Sequence, residues 1–167
     1  FRKSVHIIYS MGSTRYTKKP DENDFTIISK GDDYQIKKFV PHERMPKGSE
    51  GRRNDRIGMM YIDQFYTKRT LILLAAIYDQ CRNDNTLLFW FTSCLPKLTV
   101  MNRYMPQHGS RALVGPRAGT LYVSPLWVEN EVISQFRFQL GKIVKALSHD
   151  NDDVCITTQS SLHLNLI

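Results

Sequence analysis

Two clusters in this chain carry side chains suited to gripping a polyanion. Residues 52–56 (RRNDR) place Arg52, Arg53 and Arg56 close together, and residues 102–104 (NRY) set Asn102, Arg103 and Tyr104 side by side. Guanidinium forks bind phosphate bidentately or read guanine edges, an amide pairs with adenine, and a tyrosine ring stacks on an unpaired base. Lys68 and Arg69 follow Thr67 at the start of a predicted helix. Cations are disfavoured at the positive end of a helix dipole unless an anion compensates, so this placement points to a phosphate nearby. Lys97, Arg111 and Arg117 complete the candidate contacts. The ordinary alternatives are that a run of charge is a solvated face and that Asn102 and Arg103 cap the helix before them.

The distribution of charge supports the first view. The net charge of +7 over 167 residues divides into +1 over residues 1–36, +4 over 37–84, +4 over 85–128 and −2 over 129–167. Residues 85–128 contain no Asp or Glu, so the middle of the chain has a one-sided field of the kind that attracts nucleic acid.

Catalytic patterns are not found. His6, His42, His108, His149 and His163 lack metal-ligand spacing, and there is no P-loop, no GxGxxG after a strand and no GxSxG. Pro20-Asp21 before a predicted strand lacks the Glu-x-Lys that a nuclease site would need. Residues 124–127 (SPLW) imitate the four-residue motif with which an amino-methyltransferase holds its flipped base, but Leu126 stands where a proline is required, so a structural turn is expected. No catalytic, cofactor-binding or metal-binding residue is assigned. No apolar run reaches the roughly 18 residues of a membrane span, and Cys81, Cys94 and Cys155 form neither a CxxC nor an even set. A soluble protein of the reducing cytoplasm is expected, without membrane contact. The chain starts at Phe1 without a leader and reads as a piece of a longer protein.

The elements that must position these residues are a helical hairpin and one long helix. Residues 68–82 (KRTLILLAAIYDQCR), capped by Thr67, predict the first helix. Asn83-Asp84-Asn85 breaks it, and a second helix is expected over 86–101 with a kink at Pro96. An amphipathic helix over 129–148 should present Val132, Ile133, Phe136, Leu140, Ile143, Val144 and Leu147 on one side. Short strands are expected over 4–10, 25–29, 120–124, 154–158 and 162–166, with turns at 11–13 and 30–33. Residues 41–58 and 102–119, rich in Gly, Pro and Arg, read as surface loops. The predicted class is α+β, in one domain comprising a lead-in and basic loop (1–58), the hairpin with the second loop and a strand (59–128), and the long helix with closing strands (129–167).

In this order and spacing, residues 55–58 (DRIG), 65–71 (FYTKRTL), 87–93 (LLFWFTS), 101–104 (MNRY) and 119–123 (GTLYV) resemble the central region of a family of bacterial DNA amino-methyltransferases, specific for adenine N6 or cytosine N4. Residues 15–21 (RYTKKPD) and 44–56 look like the same family's stretch just after a zinc-ribbon insert, and 154–167 like the stretch leading into its catalytic strand. The resemblance implies an S-adenosylmethionine loop before this region and an Asp-Pro-Pro-aromatic motif after it. Neither is in this chain, nor are the zinc-ribbon cysteines. The expected role is therefore a DNA-binding, target-recognition segment of such an enzyme. Its expected partners are double-stranded DNA and the remaining halves of the parent methyltransferase, which would hold S-adenosylmethionine. A stand-alone nucleic-acid-binding module and a structural insert that touches no DNA are the alternatives.

Overall fold

The computed structural model describes residues 3–148, apart from the side chains of Ser110 and Arg111. The strands expected over 154–158 and 162–166, with Cys155, His149 and His163, lie outside the described residues. The described part is α+β: five α-helices with two short antiparallel strand pairs. Among the described residues, no helix is long and apolar enough to cross a membrane.

The chain opens with a hairpin of β1 (Ile7–Met11) and β2 (Thr14–Lys18), in which Tyr9 faces Tyr16. Gly12 takes φ +61°, which the first position of a two-residue type II′ turn demands. Next comes α1 (Glu22–Asp33), where residues 25–29 were expected to form a strand and 30–33 a turn. The β-branched run is overruled by a reciprocal cap: Asp21 accepts from the Asp24 N–H at 3.0 Å, and Asp24 accepts from the Asp21 N–H at 2.9 Å. Glu22 and Asp24 favour the same end of the dipole, and Lys30 the other.

The expected loop 41–58 contains α2 (Ser49–Asp55). Its flanks are tied together, with the Met45 N–H donating to Met60 O (2.8 Å) and the Ile62 N–H to Glu43 O (3.0 Å). Gly51 and Asn54 are buried. A Cβ on Gly51 would stand 2.7 Å from Pro46 O, so only hydrogen fits there.

The hairpin of α3 (Lys68–Cys81) and α4 (Asn85–Cys94) forms as expected, with Thr67 and Asp84 as N-caps. However, α4 ends seven residues before Met101. Pro96 cannot donate an N–H, and the chain tightens into a 3-10 turn over Leu95–Leu98. Against the hairpin lies α5 (Val132–Leu147), capped by Glu131. Leu74, Cys81, Phe91, Cys94, Leu98, Val132 and Phe136 form the main core. Trp90 packs edge-on against Phe136 at 5.2 Å and donates its indole N–H to Phe136 O at 3.1 Å. The apolar face of α5 is narrower than the sequence implies: Val132, Phe136 and Ile143 are buried, while Ile133, Leu140, Val144 and Leu147 are exposed.

A smaller core of Met59, Phe65 and Val100 underlies the remaining loops, packed by Leu121, Val123 and Trp127. Residues 120–124 are not a strand. Side chains of α2 take the Leu121 backbone instead: Asn54 donates to Leu121 O at 3.0 Å, and Glu50 accepts from the Leu121 N–H at 3.3 Å. The expected loop 102–119 holds β3 (Arg103–Tyr104) paired with β4 (Leu113–Gly115), and Arg103 also bridges to Trp127.

Candidate nucleic-acid interface

Arg52 on α2 and Arg56 at its C-terminal cap are exposed and carry no ion pair among the described residues. They stand four positions apart, and Arg56 keeps helical backbone angles, so the spacing is one at which like charges repel unless an anion lies between them. Arg53 differs, because its guanidinium pairs with Glu50 at 3.1 Å. Asn54 is buried under Leu121, and Asp55 holds Arg44 at 3.0 Å while its Oδ1 is buried without a partner. The RRNDR run therefore presents two free guanidiniums rather than three.

The anion at the start of α3 is supplied by the chain itself. Thr67 accepts from the Thr70 N–H and donates to Glu129 Oε1 at 2.6 Å, and the Arg69 guanidinium forks onto both Glu129 oxygens. Arg69 at the dipole's positive end thus does not require a phosphate, which corrects that expectation for this residue. Lys68 is half-buried and lines a cleft of about 460 Å3 with Met59, Asp63, Tyr66, Val100 and Trp127. Burial raises the Tyr66 phenol above its ordinary pKa, keeping it neutral.

Asn102 is 2% exposed, and its amide donates to Lys97 O at 2.6 Å and to Thr99 O at 2.8 Å. This is a cap on the turn that ends at Leu98, so Asn102 cannot reach a base edge in this conformation. The correction follows from the carbonyls left open where Pro96 stops the helix. Arg103 donates Nε–H to Gly115 O at 3.1 Å, and the backbone of Tyr104 bonds Leu126 O at 3.0 Å. Both side chains are half-buried. Lys97 is exposed, and its ammonium lies over Gly115, 2.6 Å from where a Cβ would stand. Gly115 also takes φ +78°, so both backbone and space call for glycine. Arg117 is exposed in the turn that follows, and Arg111 lies in a 3-10 turn, Pro106–Arg111.

The structure therefore joins the two basic loops through one segment. Gly115 lies under Lys97, Leu121 lies on α2, and Arg117 sits between them. Sequence reasoning missed Glu50 and Glu129, the carboxylates that decide which arginines are engaged.

Among the described residues no cluster of His, Cys, Asp and Glu could hold a metal ion. The strand-to-helix junction β2–α1 is Lys19-Pro20-Asp21, without the glycines that let a backbone close on a cofactor. The chain matches no protein-family model, and it has no significant match among curated proteins or solved structures.

Proposed function

We propose that this chain is the DNA-binding, target-recognition segment of an S-adenosylmethionine-dependent DNA methyltransferase of the cytoplasm. The parent enzyme would extrude a base and methylate its exocyclic amine, adenine N6 or cytosine N4, with the methyl donor and the base-gripping motif in its other parts. The observation that carries this reading is the linked set of unpaired cations. Fully extended, the run from Gly115 to Leu121 spans at most about 22 Å, a length of duplex that displays about a dozen phosphates. Lys97 and Arg117 lie along that run in the acid-free stretch 85–128, and Arg52 and Arg56 lie on and beside the helix that binds its Leu121 end. On this reading Arg52, Arg56, Lys97 and Arg117 hold phosphate, and Arg103 and Tyr104, half-buried on β3, are the residues left to read bases.

The test is duplex binding against ionic strength by fluorescence anisotropy. Changing Arg52 and Arg56 to Ala should flatten the log-log slope by about two units if both neutralise phosphates. An unchanged slope would assign them to a solvated face. A brace between catalytic halves is the second reading, supported by the internal engagement of Arg53, Arg69 and Asn102. It requires the whole enzyme to bind duplex equally well with and without these cations.

A further inference from the structure

We propose that the β1–β2 ribbon is a second duplex-DNA contact, an arm separate from the patch around Arg52 and Lys97. The inference rests on the DNA-binding reading and adds an element to it. Residues 3–20 contain Lys3, Arg15, Lys18 and Lys19 and no Asp or Glu. The near-neutral sum over residues 1–36 conceals this, since its acids all fall between Asp21 and Asp33. Lys18 alone of the four is ion-paired among the described residues, to Asp21 at 3.0 Å and Asp24 at 2.7 Å. Lys3, Arg15 and Lys19 are exposed.

The ribbon lacks cover on both faces. One face carries Tyr9, Met11 and Tyr16, which are 40%, 66% and 44% exposed, and its internal packing is the stack of the two tyrosine rings at 5.5 Å. The register puts Ser10 opposite Arg15 and Ile8 opposite Thr17 on the other face. A lone two-stranded hairpin is marginal in water, so a ribbon of this kind gains from a partner. An apolar protein partner would match the tyrosine face but would leave the one-sided charge unanswered, whereas a polyanion answers it. The size also fits: strands about 4.8 Å apart and about 17 Å long enter a major groove about 12 Å wide, which admits a two-stranded ribbon.

The arm has a fixed base. Lys18 clamps the end of β2 onto the cap of α1 through Asp21 and Asp24. Gly31 of α1 lies against the Arg69 stem, where a Cβ would approach Cγ to 2.6 Å, and Arg69 is forked onto Glu129. The ribbon is thereby held through α1 to α3, rather than trailing from the fold.

The test uses the full chain and a labelled duplex, titrated from about 50 to 200 mM salt. The variant Arg15→Ala/Lys19→Ala alters exposed side chains with no ion pair among the described residues, so circular dichroism should be unchanged. It should flatten the salt slope by about two units, making the affinity loss about tenfold larger at the low end of that range than at the high end. Arg52→Ala/Arg56→Ala is run alongside. If it flattens the slope while the ribbon variant does not, the ribbon inference is overturned and the DNA-binding reading stands. If only the ribbon variant flattens it, the ribbon stands and the Arg52 patch falls. Absence of duplex binding by the wild type overturns both. A single strand held more tightly than duplex, and weakened by Tyr9→Leu, would overturn the duplex assignment in favour of bases stacked on the ring pair.

Discussion

Replacing Asn102 with alanine separates holding the fold from reading DNA. The amide donates two bonds, at 2.6 and 2.8 Å, from a site 2% exposed. At about 1 kcal/mol net for each, their loss comes to about 2 kcal/mol. Two features reduce it. Lys97 O keeps the Asn130 amide at 2.7 Å and Thr99 O keeps the Asn102 N–H at 3.2 Å, so neither carbonyl is orphaned. Alanine also removes Oδ1, a buried acceptor without a partner. The expected net loss is about 1–2 kcal/mol, or about 2–6 °C in Tm for a chain of this size. Asn102→Asp turns the two donors into a carboxylate facing two carbonyls, and should cost more than about 3 kcal/mol. Urea denaturation supplies the stabilities, and, on the proposed function, methylation of cognate and one-base-changed duplexes by the parent enzyme supplies the preference ratio. Capping requires both variants to lose stability in that order while the ratio stays at its wild-type value. An Asn102→Ala protein of unchanged stability with a relaxed preference would refute it.

Glu129→Gln should lower stability by about 1–2 kcal/mol by denaturation, because it leaves Arg69 without its counter-charge at a partly buried site. Gly115→Ala should cost about 1–2 kcal/mol for the φ +78° backbone alone, and it should weaken duplex binding by moving the Lys97 ammonium. Hydrogen bonding from Lys38 holds the Asp79 carboxyl below its ordinary pKa, so that pair adds stability above the usual Asp range and loses it as pH falls through the lowered value. NMR titration of Asp79 in Lys38→Met should show the pKa returning upward, and no movement would refute the pairing.

Features governed by neighbours in sequence were readable in advance. The start of α3 at Thr67, the start of α4 at Asp84 and most of α5 depend on local caps and helical period. The same logic was available for α1, since Asp21 and Asp24 are spaced as a capping box, but the Phe-Thr-Ile-Ile run gave the louder signal. What α2 needs is distant: Gly51 against Pro46, and Asn54 on Leu121. Residues 120–124 fail to form a strand for the converse reason, the N–H and C=O of Leu121 going to those α2 side chains. At the candidate site, composition located the cations but not their engagement. Arg69 is taken by Glu129, sixty residues away in sequence, and Asn102 by carbonyls that open only because α4 stops early. Summing charge over residues 1–36 also hid the acid-free hairpin.

The two-stranded sheet at the front of the chain has a colloidal consequence. Both outer edges of β1 and β2 lack a strand neighbour among the described residues, and such edges template pairing between copies. Lysines near a sheet edge oppose that pairing by repulsion, and Lys3 and Lys19, with no ion pair among the described residues, flank these strands. The charge that suits the ribbon to a polyanion therefore also keeps one molecule from adding to the next. Salt acts on both effects at once: at about 1 M the screening length falls to about 3 Å, so conditions that would strip DNA from the proposed arm also remove the barrier to edge-to-edge association.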